Sequence, residues 1–310
     1  MKEATKRILR DYAYQDCTRP GDIMAEGGFL IEGKPGYTGI DPSKIGRYVV
    51  MLVRDPLLAY GGDPAELLAR RLERPILAGK SGLFTTYSGH YKGAHISFIS
   101  GGSGAPEAEL ALTDLMHYTR ADTFIRLAGS AAINEDVHTG DIVITSGTVR
   151  GDGVSRVYVE EAFPALCSHE VILAMSQSAQ ALGMRWHVGV TRCSDAETVG
   201  GGRPAVDGYI QPRHLEYIDY YNRAGVLNLD RESSVIAALC TLFRRRAGAV
   251  FSIDNNIVNR EKFQAGAGRD DAVEVALEGI ANLYRMDRQK EQVGAPYWVP
   301  GLRAEGETNS

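Results

Sequence analysis

In this 310-residue chain, the residues that could do chemistry collect where apolar strands run out into small or glycine-rich loops. In TFIRLAGSAAINEDVHTGDIVI (123–144), a strand carrying Arg126 meets five small residues, Ala128 to Ala132. A loop almost without side chains lets a ligand approach the backbone, and a permanent cation beside it favours an anionic ligand. The alternative is an arginine that snorkels or pairs with a core carboxylate. A second junction, SGGSGAPEAEL, runs from a strand through Gly101, Gly102, Ser103 and Gly104 into a helix opening near Pro106. Such a loop turns backbone N–H groups toward a ligand. No Lys-Ser/Thr pair follows, so it is not a P-loop, and it fits a dinucleotide fingerprint poorly; a tight structural turn is the other reading. In CSDAETVGGGRPAVD, three consecutive glycines precede Arg203, which suits a mobile flap or a plain surface loop. GVLNLDRESSVIAAL sets Asp230, Arg231 and Glu232 where an extended segment enters an apolar helix. Acidic groups there suit the helix dipole and often do no more than cap. Finally, FSIDNNIVNREKF leaves a strand with Asn259 and Arg260 at its end, where α/β proteins place ligand contacts, or where an arginine is simply solvated.

The elements that position these groups follow from hydrophobic pattern. YVVMLV from Tyr48 is a continuous apolar run, as in a strand covered on both faces. Further strands are expected at 95–100, 123–128, 141–147, 187–191 and 249–253, and helices at 107–119, 168–183, 233–246 and 270–286. PAELLARRLE forms another helix, with Asp63 as cap and Pro64 in its first turn. Alternation of strands and helices implies a central sheet flanked by helices. Residues 1–46 are turn-rich and read as an extension packed on the body or on a neighbouring subunit. Residues 47–290 read as one α/β domain, and 291–310 as a loosely ordered tail.

Composition narrows the function classes. The chain is 44% hydrophobic and 24% charged, which argues against wholesale disorder. With 34 basic and 39 acidic residues and no long basic run, a nucleic-acid backbone is not the expected partner. Cys17, Cys167, Cys193 and Cys240 are scattered without C-x-x-C spacing, so no disulfide framework and no metal site is expected. The charged N-terminus does not read as a secretory signal and no apolar run spans a membrane, so a cytoplasmic protein is the expectation.

In their order along the chain, these motifs resemble those of the bacterial uridine phosphorylases in the nucleoside phosphorylase superfamily. The resemblance covers roughly residues 38 to 286 and is densest in TFIRLAGSAAINEDVHTGDIVITSGTVRGDGVS, FPALCSHEV, HVGVTRCSD, GVLNLDRESS and IVNR. It implies a single-domain α/β three-layer sandwich whose central mixed, partly closed sheet is flanked by helices. It also implies a homo-oligomer, a dimer or trimer of dimers. The implied reaction is attack of inorganic phosphate on the anomeric carbon of a pyrimidine-type nucleoside, giving free base and a pentose 1-phosphate. Its transition state resembles an oxocarbenium ion, so the residue types make sense. Phosphate is the co-substrate, and no metal or redox cofactor is implied. By resemblance, Arg126 binds phosphate, Glu232 holds ribose hydroxyls, and Asp230 replaces the first glutamate of the family's Glu-Met-Glu motif; these three form the catalytic set. Arg203 and Arg260 match the arginines serving the carbonyl edge of a pyrimidine.

Departures from the family pattern are equally specific. The turn after the first strand reads Arg54-Asp55-Pro56-Leu57-Leu58 and lacks the family's phosphate arginine, and a second such arginine is replaced by Gly82. Gly129 stands for the threonine that touches phosphate and ribose, and Ser130 for the next threonine, beside Ala131 at the base. Glu197 replaces the aromatic that stacks on the base, Gly201 the glutamine that reads it, Tyr37 the histidine that reaches the 5′-hydroxyl, and Arg231 the methionine beside the ribose. Either Arg54 and Arg126, with Ser103 of the glycine-rich loop, rebuild a phosphate site, or water attacks instead. Three functions therefore stand: phosphorolysis of a nucleoside; hydrolysis of a nucleoside or nucleotide by the same fold; and non-catalytic nucleoside binding. Arg231 either meets an anionic group near C5′ or turns away to pair with Asp230 or Glu216. His138 and His187 are expected to be satisfied structural histidines, and His90 to sit at a turn or at the border of the site.

Overall fold

The apolar runs become the middle of a large mixed sheet. The computed structural model describes residues 30–54 and 61–302. Within them, β1 (Leu30–Ile31) and β2 (Lys34–Pro35) form a small antiparallel ladder. The main sheet contains β3 (Tyr48–Val53), β4 (Glu73–Lys80), β5 (Thr85–Tyr91), β6 (Ala94–Gly101), β7 (Thr123–Ala132), β8 (Ile142–Val149), β9 (Ala165–Leu166), β10 (Trp186–Cys193), β11 (Val226–Asp230) and β12 (Arg246–Asn256). Their order is β11-β10-β8-β12-β7-β3-β6-β5-β4, with β9 on β8. Asn228 of β11 pairs back to Ala132 of β7, so one end of the sheet curls into a partial barrel. The sheet is mixed: β3 runs parallel to β6 and β7, whereas β5 is antiparallel to β4 and β6.

Helices cover both faces. On one face lie α1 (Pro64–Ala69), α4 (His169–Ala181) and α8 (Arg269–Val293), packed with Val50, Leu52, Ile125 and Val250. On the other lie α2 (Ala105–Tyr118) and α7 (Ser233–Leu242), packed with Val49, Met51 and Phe124. Side chains alternate across a strand, so Ile125 faces the first layer while Phe124 and Arg126 face the second, toward α2 and α7. This is the expected three-layer α/β architecture. Short helices α3 (Val154–Tyr158) and α5 (Glu197–Gly200), and the longer α6 (Pro212–Arg223), occupy the connections.

Several boundaries differ from expectation for visible reasons. The helix expected over 233–246 stops at Leu242, because Arg246 already belongs to β12. There its guanidinium makes two 2.7 Å bonds to buried Asp287. Helix α8 runs past 286 to Val293, anchored where Lys290 reaches Glu170 and Asp287. β4, β5 and α6 were not anticipated. Asp63 does cap α1, accepting from Ala65 N at 2.9 Å. Residues 1–29 and 303–310 lie outside the described residues, and with them much of the expected extension and tail. Within 30–46, Ile40 is fully buried and Thr38 donates to Asp114 of α2, so this part packs on the body. In the expected tail, Trp298 N donates to Glu170 at 2.7 Å.

Candidate active site

Arg126 sits in β7 in register with Met51 of β3 and Ala249 of β12, and only 5% of it is exposed. A buried guanidinium must be paired or its desolvation is uncompensated. Its Nη2 donates to Glu232 Oε2 at 2.7 Å and lies 3.5 Å from Asp230 Oδ1. Its Nη1 donates to the Leu127 carbonyl at 3.3 Å. Both readings of Arg126 thus meet in one place: it pairs with a core carboxylate, and that carboxylate is the one expected to hold the sugar.

Glu232 and Asp230 flank the end of β11 and the start of α7. Asp230 Oδ2 accepts from the backbone N–H of Glu232 (3.1 Å) and of Ser233 (2.6 Å), capping the helix while facing Arg126. Glu232 is 3% exposed; its Oε1 accepts from Ser103 Oγ at 3.1 Å and from Gly104 N at the mouth of α2. The glycine-rich junction therefore delivers its N–H and hydroxyl donors to Glu232 itself. Burial pushes the Glu232 carboxyl above the ordinary glutamate range; the Arg126 charge opposes the rise and the Asp230 charge adds to it. Burial acts the same way on Asp230, but Arg126 and the N–H groups of Ser233 and Arg231 outweigh it and hold that carboxyl low. The pair is split: Asp230 is held as the anion, whereas burial disfavours the charged form of Glu232. A cavity of about 20 Å³ borders Arg126 and Glu232, room for one water. An anion at Arg126 and a hydroxyl at Glu232 must therefore displace the contact between them.

Ser103 joins the pair directly, as described. Gly129 and Ala131 lie farther along β7, opposite Ser252 and Asn255 of β12. The Ser130 hydroxyl donates to the Leu229 carbonyl (2.6 Å) and accepts from Asn228 Nδ2 (2.9 Å), tying β7 to β11 beside Asp230. Arg54, at the end of β3, points its Nε to Asp63 Oδ2 (3.2 Å) and its Nη2 to the Ser100 carbonyl (3.2 Å). Residues 55–60 of the same turn lie outside the described residues.

On the base side, Arg203 Nη2 pairs with the Glu197 carboxylate, both exposed, and also reaches the Glu197 carbonyl at 3.1 Å. Gly201 ends α5, where an added Cβ would sit 3.8 Å from Arg203 Nε. Arg260 is exposed in the loop after β12 with a left-handed φ of 56°. Tyr37 packs by Asp114 and Ser81, about 15 Å along α2 from Gly104. The Arg231 guanidinium bonds neither Asp230 nor Glu216; its Nη2 reaches the Asp195 carbonyl at 3.3 Å. One residue escaped sequence reasoning. Arg192 of β10 is 7% exposed, donates from Nη1 to the Gly200 carbonyl at 2.5 Å, and lies 5.5 and 5.0 Å from the Tyr217 and Tyr221 rings of α6. It ties the glycine-rich flap to that helix, and no pattern in the sequence signals it.

The histidines are engaged elsewhere. His138 meets Glu261 at 2.6 Å and His187 meets Asp141 at 2.9 Å. His90 lies within β5 rather than at a turn, stacked on His95 at 4.7 Å. Among the described residues, no group of three or more His, Cys, Asp or Glu is placed to hold a metal ion, and no helix is long and apolar enough to cross a membrane.

Comparison with known proteins gives a consistent result. Residues 57–284 match the sequence profile of the phosphorylase superfamily. A uridine phosphorylase of Thermococcus kodakarensis is 33% identical over 284 residues, covering 91% of this chain and 98% of the relative. A uridine phosphorylase of Treponema pallidum is 28% identical over 260 residues, 81% of this chain and 95% of the relative. A guanosine phosphorylase of Halorubrum lacusprofundi is 26% identical over 225 residues, 72% of this chain and 83% of the relative.

Proposed function

This chain belongs to the phosphorylase superfamily, and from that membership we propose that it cleaves the N-glycosidic bond of a pyrimidine nucleoside with inorganic phosphate, releasing free base and pentose 1-phosphate. The observation that carries the reading is the buried contact of Arg126 with Glu232, two groups 106 residues apart in sequence. Arg126 takes the attacking phosphate. Glu232 then accepts from sugar hydroxyls and, being anionic, stabilises the positive charge that develops at the anomeric carbon. Asp230 keeps Arg126 oriented once Glu232 turns to the sugar, because its two backbone N–H bonds hold it independently. On the base side, Arg203 and Arg260 serve the carbonyl edge of the leaving pyrimidine. Phosphate is the only co-substrate in this scheme, and no metal or redox group takes part. We place the protein in the cytoplasm as a homo-oligomer, with Tyr37 serving the sugar end of a neighbouring subunit's site.

The experiment is to incubate the protein with uridine, with and without inorganic phosphate, and follow uracil release. Uracil that forms only when phosphate is present supports the reading. Uracil that forms equally without phosphate means that water is the nucleophile and refutes it.

A further inference from the structure

Arg231 lies between the two catalytic carboxylates yet takes no part in their pairing. The one hydrogen bond of its guanidinium among the described residues runs from Nη2 to a neutral acceptor, the Asp195 carbonyl, at 3.3 Å. Its Nε is buried and has no hydrogen-bond partner among the described residues. No carboxylate among the described residues compensates this charge, whereas Arg126, a short distance away, faces two. A half-buried guanidinium with spare donors in a fixed fork is matched to an oxyanion.

Its position relative to Glu232 says which oxyanion. Nη2 of Arg231 lies 3.7 Å from the point where a Cβ on Gly104 would sit. Gly104 N donates to Glu232 Oε1, and Ser103 Oγ donates to the same oxygen. Arg126 binds the other oxygen, Oε2. Arg126 therefore holds one side of this carboxylate, and the loop residue Gly104, with Arg231 beside it, the other. A pentose bonded to Glu232, with its anomeric carbon toward the phosphate at Arg126, extends its far end toward Arg231.

We propose that Arg231 forms a second anion subsite at the far end of the sugar, and that the substrate is a pyrimidine nucleoside carrying a phosphoryl group on C5′. This rests on the phosphorolysis reading and deepens it. A bare hydroxymethyl group would satisfy at most one of the free donors, whereas a phosphoryl group presents several charged oxygens. Gly104, with φ of 107°, keeps the space beside Arg231 clear of any side chain.

The test measures kcat/KM for UMP and for uridine at saturating phosphate in the wild type, Arg231→Met and Arg231→Lys, with thermal melting to verify folding. The wild type should favour UMP by roughly 10- to 100-fold, the effect of a charge-assisted contact. Arg231→Met should bring that ratio close to one, and Arg231→Lys should keep part of it. The KM for inorganic phosphate separates the two possible sources of the anion, and it should not follow the ratio. A wild-type ratio near one, a ratio unchanged in Arg231→Met, or a rise confined to the KM for inorganic phosphate would each overturn the proposal. Should uridine be cleaved and UMP refused, only this inference fails. If neither releases its base, the phosphorolysis reading has failed first.

Discussion

Replacing Glu232 by glutamine probes the site with little change of shape. The carboxylate accepts three hydrogen bonds, from Arg126 Nη2 at 2.7 Å, from Ser103 Oγ at 3.1 Å and from Gly104 N. An amide has one oxygen, so in either orientation its NH2 faces a donor, Arg126 on one side or Gly104 N–H on the other. In the complex, the charge-assisted bond from a sugar hydroxyl to this carboxylate is worth about 1.5–3 kcal/mol, and the negative charge that steadies the developing cation goes with it. At about 1.36 kcal/mol per factor of ten, Glu232→Gln should lower kcat by roughly 10- to 150-fold. Stability should change little, for two reasons. The fold already raises the proton affinity of Glu232, so a neutral group at this buried place suits it. Arg126 also keeps Asp230 and the Leu127 carbonyl. The assay is steady-state uracil release from nucleoside at saturating phosphate, alongside thermal melting. A variant that melts like wild type and turns over within twofold of it would refute the role of Glu232. A large fall in melting temperature with normal turnover would show the carboxylate to be structural.

Three further outcomes are expected. Because Glu232 must be ionised to accept from the sugar and its pKa is raised by burial, kcat/KM should fall on acidification with a midpoint above 4.5; activity level down to pH 4.5 would contradict this. Asp287 is held at a pKa of about 2, below its ordinary 3.8, because the Arg246 hydrogen bonds outweigh its burial, so its ionised form stabilises the fold above that ordinary value. Asp287→Asn should cost about 3–5 kcal/mol by denaturant melts at neutral pH. That difference should shrink as pH falls from about 4 to about 2, and a pH-independent difference would rule the linkage out. Glu197→Phe should release Arg203 and offer the base a ring to stack on, lowering KM for nucleoside by roughly tenfold. A KM that rises would mean that the carboxylate itself contacts the base.

The central strands and the two carboxylates were readable because burial on both faces leaves continuous apolar runs, and because charged residues at strand ends break them. YVVMLV and TFIRLA show this plainly. Other elements were hidden for physical reasons. β4 has five exposed residues at its start, so ERPILAGK offers neither alternation nor a buried run. Helix α6 buries only His214, and its tyrosines cover Arg192 rather than a hydrophobic core, so no apolar stripe marks it. The end of α8 is held by ion pairs to Lys290, which an apolar pattern cannot register. In the site, Arg126 and Glu232 were legible by type and motif, but their direct bond was not. It depends on the register of β7 and on how α2 and α7 bring Gly104 and Glu232 together. The sequence likewise left open whether Arg231 turns to a carboxylate; only the packing places it on a carbonyl beside Gly104.

The most direct measurement is a crystal structure of the protein with a nucleoside and an unreactive phosphate mimic such as sulfate. The account predicts that the Arg126–Glu232 contact opens. The anion then lies on Arg126, a sugar hydroxyl donates to Glu232, and the anomeric carbon sits between them. An intact pair with the pentose bound elsewhere would contradict it.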